Sequence, residues 1–172
     1  PPPPPPTTTT TTNVYSLALG SVIPKDSLFV KWTTWKTTPN LQDKPLVFVC
    51  PSMSHSAFAR NVDTPDLKVK GWWHHMIGPG PEYGIDLTQY NVVCASPLGS
   101  PYGSTSPLSI NSETGKIWGA EFPVITPEDM SRAIAQCLDG LGIDSIETIV
   151  GASMGGMQAL QFAARYPNRF KK

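Results

Sequence analysis

The chain has 172 residues, of which 13 are basic and 13 are acidic, so its formal net charge is zero. Apolar residues make up 40% of it, which excludes disorder over most of its length. The charge balance gives no basic face for nucleic acid, and no apolar run approaches the ~20 residues of a membrane span. We therefore expect no nucleic-acid partner and no membrane partner.

Residues 1–12 are six prolines followed by six threonines. This low-complexity tract has nothing to pack into a core, and it is either a linker or a sequence artefact. The chain begins at Pro1 and stops at Lys172, directly after a predicted helix end, so we expect a fragment of a longer protein. No signal peptide is visible, and a cytoplasmic location is the expectation.

Four segments predict strands. Residues 28–35 (LFVKWTTW) are rich in β-branched and aromatic side chains. Continuous apolar runs at Leu46–Cys50, Tyr90–Ala95 and Ile146–Val150 are typical of strands buried on both faces of a parallel sheet.

Two helices complete the pattern. The first begins at Thr126-Pro127-Glu128-Asp129, which supplies an N-cap, a proline at the first position and acidic residues in the first turn. The second runs from Met154 to Tyr166 and is ended by Pro167. One of its faces carries Met157, Leu160 and Ala164. Strands and helices that alternate in this way predict an α/β layered fold.

Residues Gly151-Ala152-Ser153-Met154-Gly155 form a G-x-S-x-G motif directly between the last predicted strand and the second helix. In this context the serine sits on a strained turn with its hydroxyl clear of the backbone. The N–H of Met154 then points to where an oxyanion would form, so Ser153 is the candidate nucleophile. A glycine-rich turn without chemistry is the alternative. The segment does not fit a phosphate-binding glycine loop, because the G-x-G-x-x-G and G-x-x-x-x-G-K-[ST] spacings are absent.

Longer segments resemble the homoserine O-acetyltransferase family of α/β-hydrolase-fold acyltransferases, including the serine and homoserine O-succinyltransferases. The matching segments are GWWHHMIGPG (71–80), LGSPYGSTSPLSIN (98–111), EFPVITPEDM (121–130), LDGLGI (138–143) and VGASMGGMQALQFAARYPNRF (150–170). The resemblance implies an α/β-hydrolase fold with a mostly parallel central sheet, truncated after the helix that follows Ser153. Residues 13–172 would be the N-terminal part of a single domain, without its lid and C-terminal part.

Carried over by position, Ser153 matches the family's nucleophile, Met154 its first oxyanion amide and Met53 its second. The loop that carries Met53 reads Cys50-Pro51-Ser52-Met53-Ser54-His55, where the acetyltransferases have a Cys-His-Ala-Leu type of loop. This departure looks more like the succinyltransferase branch, and it leaves the acyl donor and acceptor open.

The acid and base of an α/β-hydrolase triad follow the serine along the chain. Residues 154–172 contain no Asp, Glu or His. The histidines His55, His74 and His75 all precede Ser153, and we interpret them as loop packing or cleft lining rather than as the base. We therefore expect the triad Asp and His to lie outside this chain.

The implied activity is transfer of an acetyl or succinyl group from acyl-CoA to L-homoserine or L-serine through an acyl-serine, in methionine or cysteine biosynthesis. Acetyl-CoA or succinyl-CoA is then a co-substrate, no bound cofactor or metal is expected, and the full-length protein is a candidate homodimer. The three cysteines, Cys50, Cys94 and Cys137, are widely spaced, so we expect buried thiols rather than disulfides or a zinc site. An esterase and an inactive fragment are the alternative functions.

Overall fold

A computed structural model of the chain describes residues 10–11, 15–24 and 28–171. The Pro/Thr tract at 1–12 lies outside the described residues except for Thr10–Thr11. These two residues form a short strand antiparallel to Phe29–Val30.

A four-stranded sheet forms the centre of the fold. Its strands are β1 (Trp32–Trp35), β2 (Leu46–Cys50), β3 (Asn91–Ala95) and β4 (Thr148–Gly151). They are arranged in the order β4-β2-β3-β1. Both β3 and β4 run parallel to β2, whereas β1 runs antiparallel to β3. The mostly parallel sheet predicted from the apolar runs is therefore confirmed.

Three of the four predicted strands have different bounds in the structure, and the one predicted over Tyr90–Ala95 begins one residue later, at Asn91. The strand predicted over 28–35 is interrupted at Lys31, which divides it into Phe29–Val30 and β1. The strand predicted over Ile146–Val150 spans Thr148–Gly151 in the structure. Ile146 lies before this strand and forms an isolated parallel bridge with Phe170. Ile146 accepts a hydrogen bond from Lys171 and donates one to the carbonyl of Arg169.

Two α-helices follow the predicted bounds closely. Helix α1 spans Pro127–Gly140 and helix α2 spans Met154–Arg165, one residue shorter than predicted. Thr126 caps α1 through a reciprocal pair of hydrogen bonds with Asp129, as its residue types predict. The buried Asp129 carboxylate also accepts a hydrogen bond from the Ala18 N–H at 2.8 Å, which fixes the N-terminal segment against α1.

The remaining elements are short. Two-residue strands pair as Tyr15–Ser16 with Val22–Ile23, Val62–Asp63 with Lys68–Val69, and Ile77–Gly78 with Ile85–Asp86. Single 3-10 turns lie at Leu41–Asp43, Gly119–Glu121 and Pro167–Arg169. Among the described residues, no helix has both the length and the apolar character needed to cross a membrane.

The core has two parts because β2 and β3 are buried on both faces. Phe48 and Val93 face one cluster, which α1 and α2 complete through residues such as Leu138 and Phe162. Alternate residues of the same strands, including Val47, Val49, Val92 and Cys94, face a second cluster that Trp72 and Trp73 cover. The part of the loop at 52–89 that carries Trp72 and Trp73 is therefore packed against the sheet.

Helix α2 buries a different face from the one its most apolar residues suggest. Gly155, Gln158 and Phe162 are its buried residues. The stripe of Met157, Leu160 and Ala164 points away from the sheet, and Leu160 is 76% exposed. Glycine and glutamine are weak signals for a buried face, because a hydrophobic pattern gives them no weight.

Candidate active site

Ser153 lies on the turn between β4 and α2. Its backbone has φ 56° and ψ −128°, and it is the one non-glycine residue with a positive φ in the part of the chain that the structure describes. Such a conformation costs on the order of 1–3 kcal/mol and persists only where the surroundings impose it. The strained turn predicted from the motif is present, and Ser153 is exposed.

Two glycines of the motif allow this turn to approach the sheet closely. A Cβ atom on Gly155 would overlap the carbonyl oxygen of Cys50 at the end of β2. A Cβ on Gly151 would overlap the backbone of Gly155 and lie 3.0 Å from the Cβ of Cys50. Neither position has room for a side chain, so both glycines are needed for close packing rather than for a positive φ.

The loop after β2 is held against α2 by a buried glutamine. The Nε2 of Gln158, which is 2% exposed, donates a 3.0 Å hydrogen bond to the carbonyl oxygen of Pro51. Beyond Pro51 the chain turns, and the His55 N–H donates to the carbonyl of Ser52. Met53 lies on this turn and is 74% exposed. Gln158 is a site residue that no motif in the sequence indicates. The only signal was an amide side chain three residues after Gly155.

Met53 and Met154 line one open cavity of about 270 Å³. Within the described residues, the backbone N–H of neither methionine donates a hydrogen bond. Met154 stands at the N-terminus of α2, where the helix dipole favours negative charge, so its N–H is a candidate donor to an oxyanion. The rest of the lining comes from two loops and the start of α1: Pro97, Leu98, Gly99, Ser100, Phe122, Pro123, Ile125 and Met130.

The wall at 97–100 is fixed by buried hydroxyl groups of the Ser/Thr-rich segment. Ser104 Oγ donates to the carbonyl of Ser96 at 2.7 Å and accepts from the N–H of Lys31. Thr105 Oγ1 accepts from the N–H of Phe29, and the Thr105 carbonyl accepts from Gly99. Small hydroxyl side chains thus satisfy backbone groups that a loop would otherwise bury unpaired.

None of the three histidines hydrogen-bonds to Ser153 in the described part of the chain. The Nδ1 of His55 lies 2.5 Å from the Oγ of Ser52, and the His55 ring stacks on Trp72 with centroids 4.5 Å apart. This contact agrees with the interpretation of His55 as a packing residue.

His74 and His75 also pack with each other, and their ring centroids are 5.4 Å apart. The Nδ1 of His74 is buried and has no hydrogen-bond partner among the described residues. Burial lowers the pKa of His74, and the positive charges of Arg60 and His75 lower it further. These effects disfavour the charged form of the His74 ring.

The three cysteines are buried free thiols, as their spacing predicts. Burial raises the pKa of Cys50 and Cys94 strongly and that of Cys137 to about 12. Cys50 is thus protonated although it directly precedes the loop of Met53, and it offers no competing nucleophile.

A serine on a strained turn between a parallel strand and a helix, with a second loop facing it from a neighbouring strand, defines the α/β-hydrolase class. The family model described as "alpha/beta hydrolase fold" matches residues 70–172. The chain belongs to this family, and the predicted fold is confirmed.

Curated relatives narrow the resemblance. The chain is 46% identical over 123 residues to the homoserine O-acetyltransferase of Bradyrhizobium diazoefficiens, covering 72% of this chain and 30% of that protein. It is 43% identical over 132 residues to the homoserine O-succinyltransferase of Bordetella pertussis, covering 77% of this chain and 31% of that protein. The resemblance to these acyltransferases is confirmed, and the chain spans about 30% of the length of these relatives.

Solved structures give the same class. The homoserine O-acetyltransferase of Bacillus anthracis superposes with a TM-score of 0.82 at 30% identity, over 95% of this chain and 44% of that one. Esterase E22 superposes with a TM-score of 0.82 at 28% identity, over 95% of this chain and 45% of that one. Transfer to an amino acid and hydrolysis of an ester are therefore both found on closely similar backbones.

Proposed function

We propose that this chain carries the nucleophile and the oxyanion hole of an O-acyltransferase that acylates the hydroxyl of L-homoserine or L-serine. The observation that carries the proposal is the strained turn at Ser153 beside a cavity lined by Met53 and Met154. The relatives' names supply the substrate class, and homoserine is the acceptor that both names print.

The chemistry follows from these groups. Ser153 Oγ attacks the thioester carbonyl of an acyl-CoA and loses its proton to a base. The backbone N–H groups of Met53 and Met154 bind the oxyanion of the tetrahedral intermediate. When the intermediate collapses, the C–S bond breaks, and CoA leaves as the thiol once it has taken up that proton. The amino-acid hydroxyl then attacks the acyl-serine and loses its proton to the base. The bond between the acyl group and Ser153 Oγ breaks, and the base passes this second proton to Ser153 Oγ.

The base of this mechanism is proposed to come from outside residues 1–172. In α/β-hydrolases the acid and the histidine follow the serine, and residues 154–172 provide neither. His55 is engaged by Ser52 and Trp72, which leaves it poorly placed for the role. The mechanism needs no metal or bound cofactor, and its product would feed the synthesis of methionine or cysteine.

The first test is Ser153→Ala in the full-length protein, assayed for CoA release from acetyl-CoA with L-homoserine. Loss of the nucleophile is expected to lower kcat by several orders of magnitude. Ser145→Ala, eight residues earlier in the loop before β4, is the control for a serine that does not lie on the turn. Ser153→Ala activity within tenfold of the parent would reject the assignment.

A second test follows the order of the steps. If Ser153 carries the acyl group, CoA leaves before the acceptor reacts, so initial-rate lines are expected to be parallel. Mass spectrometry should then find an acyl adduct on the peptide that contains Ser153. Intersecting lines with no adduct would support direct transfer between the two substrates.

Hydrolysis is the second candidate function, and the match to esterase E22 is the observation that favours it. The two candidates differ only in what attacks the acyl-serine, an amino acid or water. Acyl-CoA turnover measured with and without L-homoserine and L-serine separates them. Turnover that neither amino acid increases would identify an esterase.

A further inference from the structure

We propose that His55 is a positioning residue for the oxyanion donor at Met53. The His55 ring bonds to Ser52 and stacks on Trp72, and through these two contacts it holds the turn that carries Met53. Because the Met53 N–H acts as a donor only under the proposed function, this role of His55 rests on that function.

Met53 has few contacts that would hold its own backbone in place. Its side chain is 74% exposed, and within the described residues its N–H donates no hydrogen bond. The preceding residue, Pro51, is held by the buried bond from Gln158. The direction of the Met53 N–H therefore depends on what fixes the turn at Ser52–His55.

His55 closes this turn through two hydrogen bonds. Its N–H donates to the Ser52 carbonyl at 3.0 Å, which is the bond of a four-residue β-turn. Its Nδ1 shares a second hydrogen bond, of 2.5 Å, with the Oγ of Ser52. Both bonds span Met53 and Ser54, so they restrict the backbone on either side of the proposed donor.

Trp72 fixes the His55 ring from outside the turn. The two rings stack with centroids 4.5 Å apart and an interplanar angle of 8°. Trp72 packs against the second core cluster, and its Nε1 donates a 2.9 Å hydrogen bond to the carbonyl of Ser56. The stack thus joins the turn to the core, and without it an exposed turn opens more easily.

The rate should be sensitive to this contact, because an oxyanion donor acts only at hydrogen-bond distance from the oxygen that becomes charged. A misplacement of about 1 Å can lower a rate by about 100-fold. The oxyanion forms after the substrate has bound. Loss of His55 is therefore expected to affect kcat more than KM.

The experiment is a double-mutant cycle in the full-length protein, measured as CoA release from acetyl-CoA with L-homoserine. His55→Ala is expected to lower kcat by about 10-fold to 100-fold, with a smaller change in KM. In a Met53→Pro background, which already lacks the donor, the same substitution should lower kcat by less than about threefold. Proline is common at the second position of a β-turn, which Met53 occupies.

Two further variants test the contacts of the ring. His55→Phe keeps an aromatic ring on Trp72 and loses the bond to Ser52, so it should retain more activity than His55→Ala. Ser54→Ala, at an exposed position on the same turn, is the matched control and should stay within about twofold of the parent. Urea midpoints identify any variant whose loss of rate follows from unfolding.

The outcomes separate this role from the proposed function. A residue that acts only on the stability of the fold would give His55→Ala the same effect on kcat with and without Met53→Pro, and that result would overturn the positioning role. A folded His55→Phe protein as impaired as His55→Ala would also overturn it, because the stack would then not hold the turn. If Ser153→Ala or Met53→Pro leaves turnover unchanged, the proposed function fails and the role of His55 fails with it.

Discussion

Gln158 of helix α2 and Pro51 of the loop after β2 are joined by a buried hydrogen bond of 3.0 Å. The bond connects the two segments that carry the proposed oxyanion donors, since Met154 begins α2 and Met53 lies two residues after Pro51. The amide ties the loop of Met53 to α2 and is not among the residues that line the cavity, so we infer a positioning role for it.

Gln158→Leu in the full-length protein is expected to lower kcat by about 10-fold to 100-fold, with a smaller change in KM. The substitution leaves the Pro51 carbonyl buried without a partner and frees the loop of Met53, and oxyanion donors lose effect when displaced. Gln161→Leu makes the same change three residues later on the helix and is the control. Equal kinetic effects of the two substitutions would reject the positioning role.

Gly155→Ala should destabilise the fold, because its Cβ would overlap the carbonyl oxygen of Cys50. Overpacking of this kind typically costs about 1–3 kcal/mol. Gly156→Ala is the matched control, since its Cβ would meet the carbonyl group of Gly151 at 3.4 Å from the oxygen and 3.9 Å from the carbon. Because alanine favours a helix over glycine by about 1 kcal/mol, Gly156→Ala should be neutral or stabilising. Urea unfolding midpoints of the two variants would test the contrast, and a reversed order would contradict it.

Asp86 should make stability depend on pH at the acid end. Hydrogen bonds from the N–H groups of Thr88 and Gly80 lower the pKa of this buried carboxyl from 3.8 to about 2. The folded-state pKa lies below the unfolded one, so the stabilising contribution is complete above pH 4 and is lost as the pH falls towards 2.

The measurement is the urea midpoint of the parent and of Asp86→Asn at pH 6 and at pH 3. The difference in urea midpoint between the parent and Asp86→Asn is expected to be larger at pH 6 than at pH 3. Protonation of Asp86 at low pH removes the same negative charge that the substitution removes. Asp66→Asn, at an exposed position in the preceding loop, should show little effect at either pH. A gap that does not change with pH would contradict the assignment to Asp86.

The sequence predicted those parts of the fold that have a regular hydrophobic or capping pattern. The apolar run Leu46–Cys50 has the bounds of β2, and Thr126 caps α1 as its type suggests. The buried face of α2 was not predictable in this way. Gly155 and Gln158 are buried because each packs against a backbone carbonyl at or just after the end of β2, that of Cys50 and that of Pro51. Both carbonyls are more than 100 residues away in sequence.

The same limit applies to the candidate site. Ser153 was found from a local motif, because the strained turn needs neighbours only on its own segment. Met53 was proposed only through resemblance, and the structure brings it onto the same cavity as Met154. Ile125 and Met130 line the cavity, but nothing in the sequence indicates this, because apolar side chains are equally typical of core residues.

The last prediction concerns Met53, whose backbone N–H rather than side chain is proposed to act. Its side chain is 74% exposed, so replacing it should cost little stability. Met53→Pro deletes the N–H donor and is expected to lower kcat about 100-fold or more, whereas Met53→Leu keeps the donor and should lose less than about tenfold. Both variants are assayed in the full-length protein, with urea midpoints to confirm that the turn at Ser52–His55 tolerates proline. If folded Met53→Pro and Met53→Leu proteins have equal kcat, the second oxyanion donor lies elsewhere, and the Met154 N–H would remain the single donor assigned on this cavity.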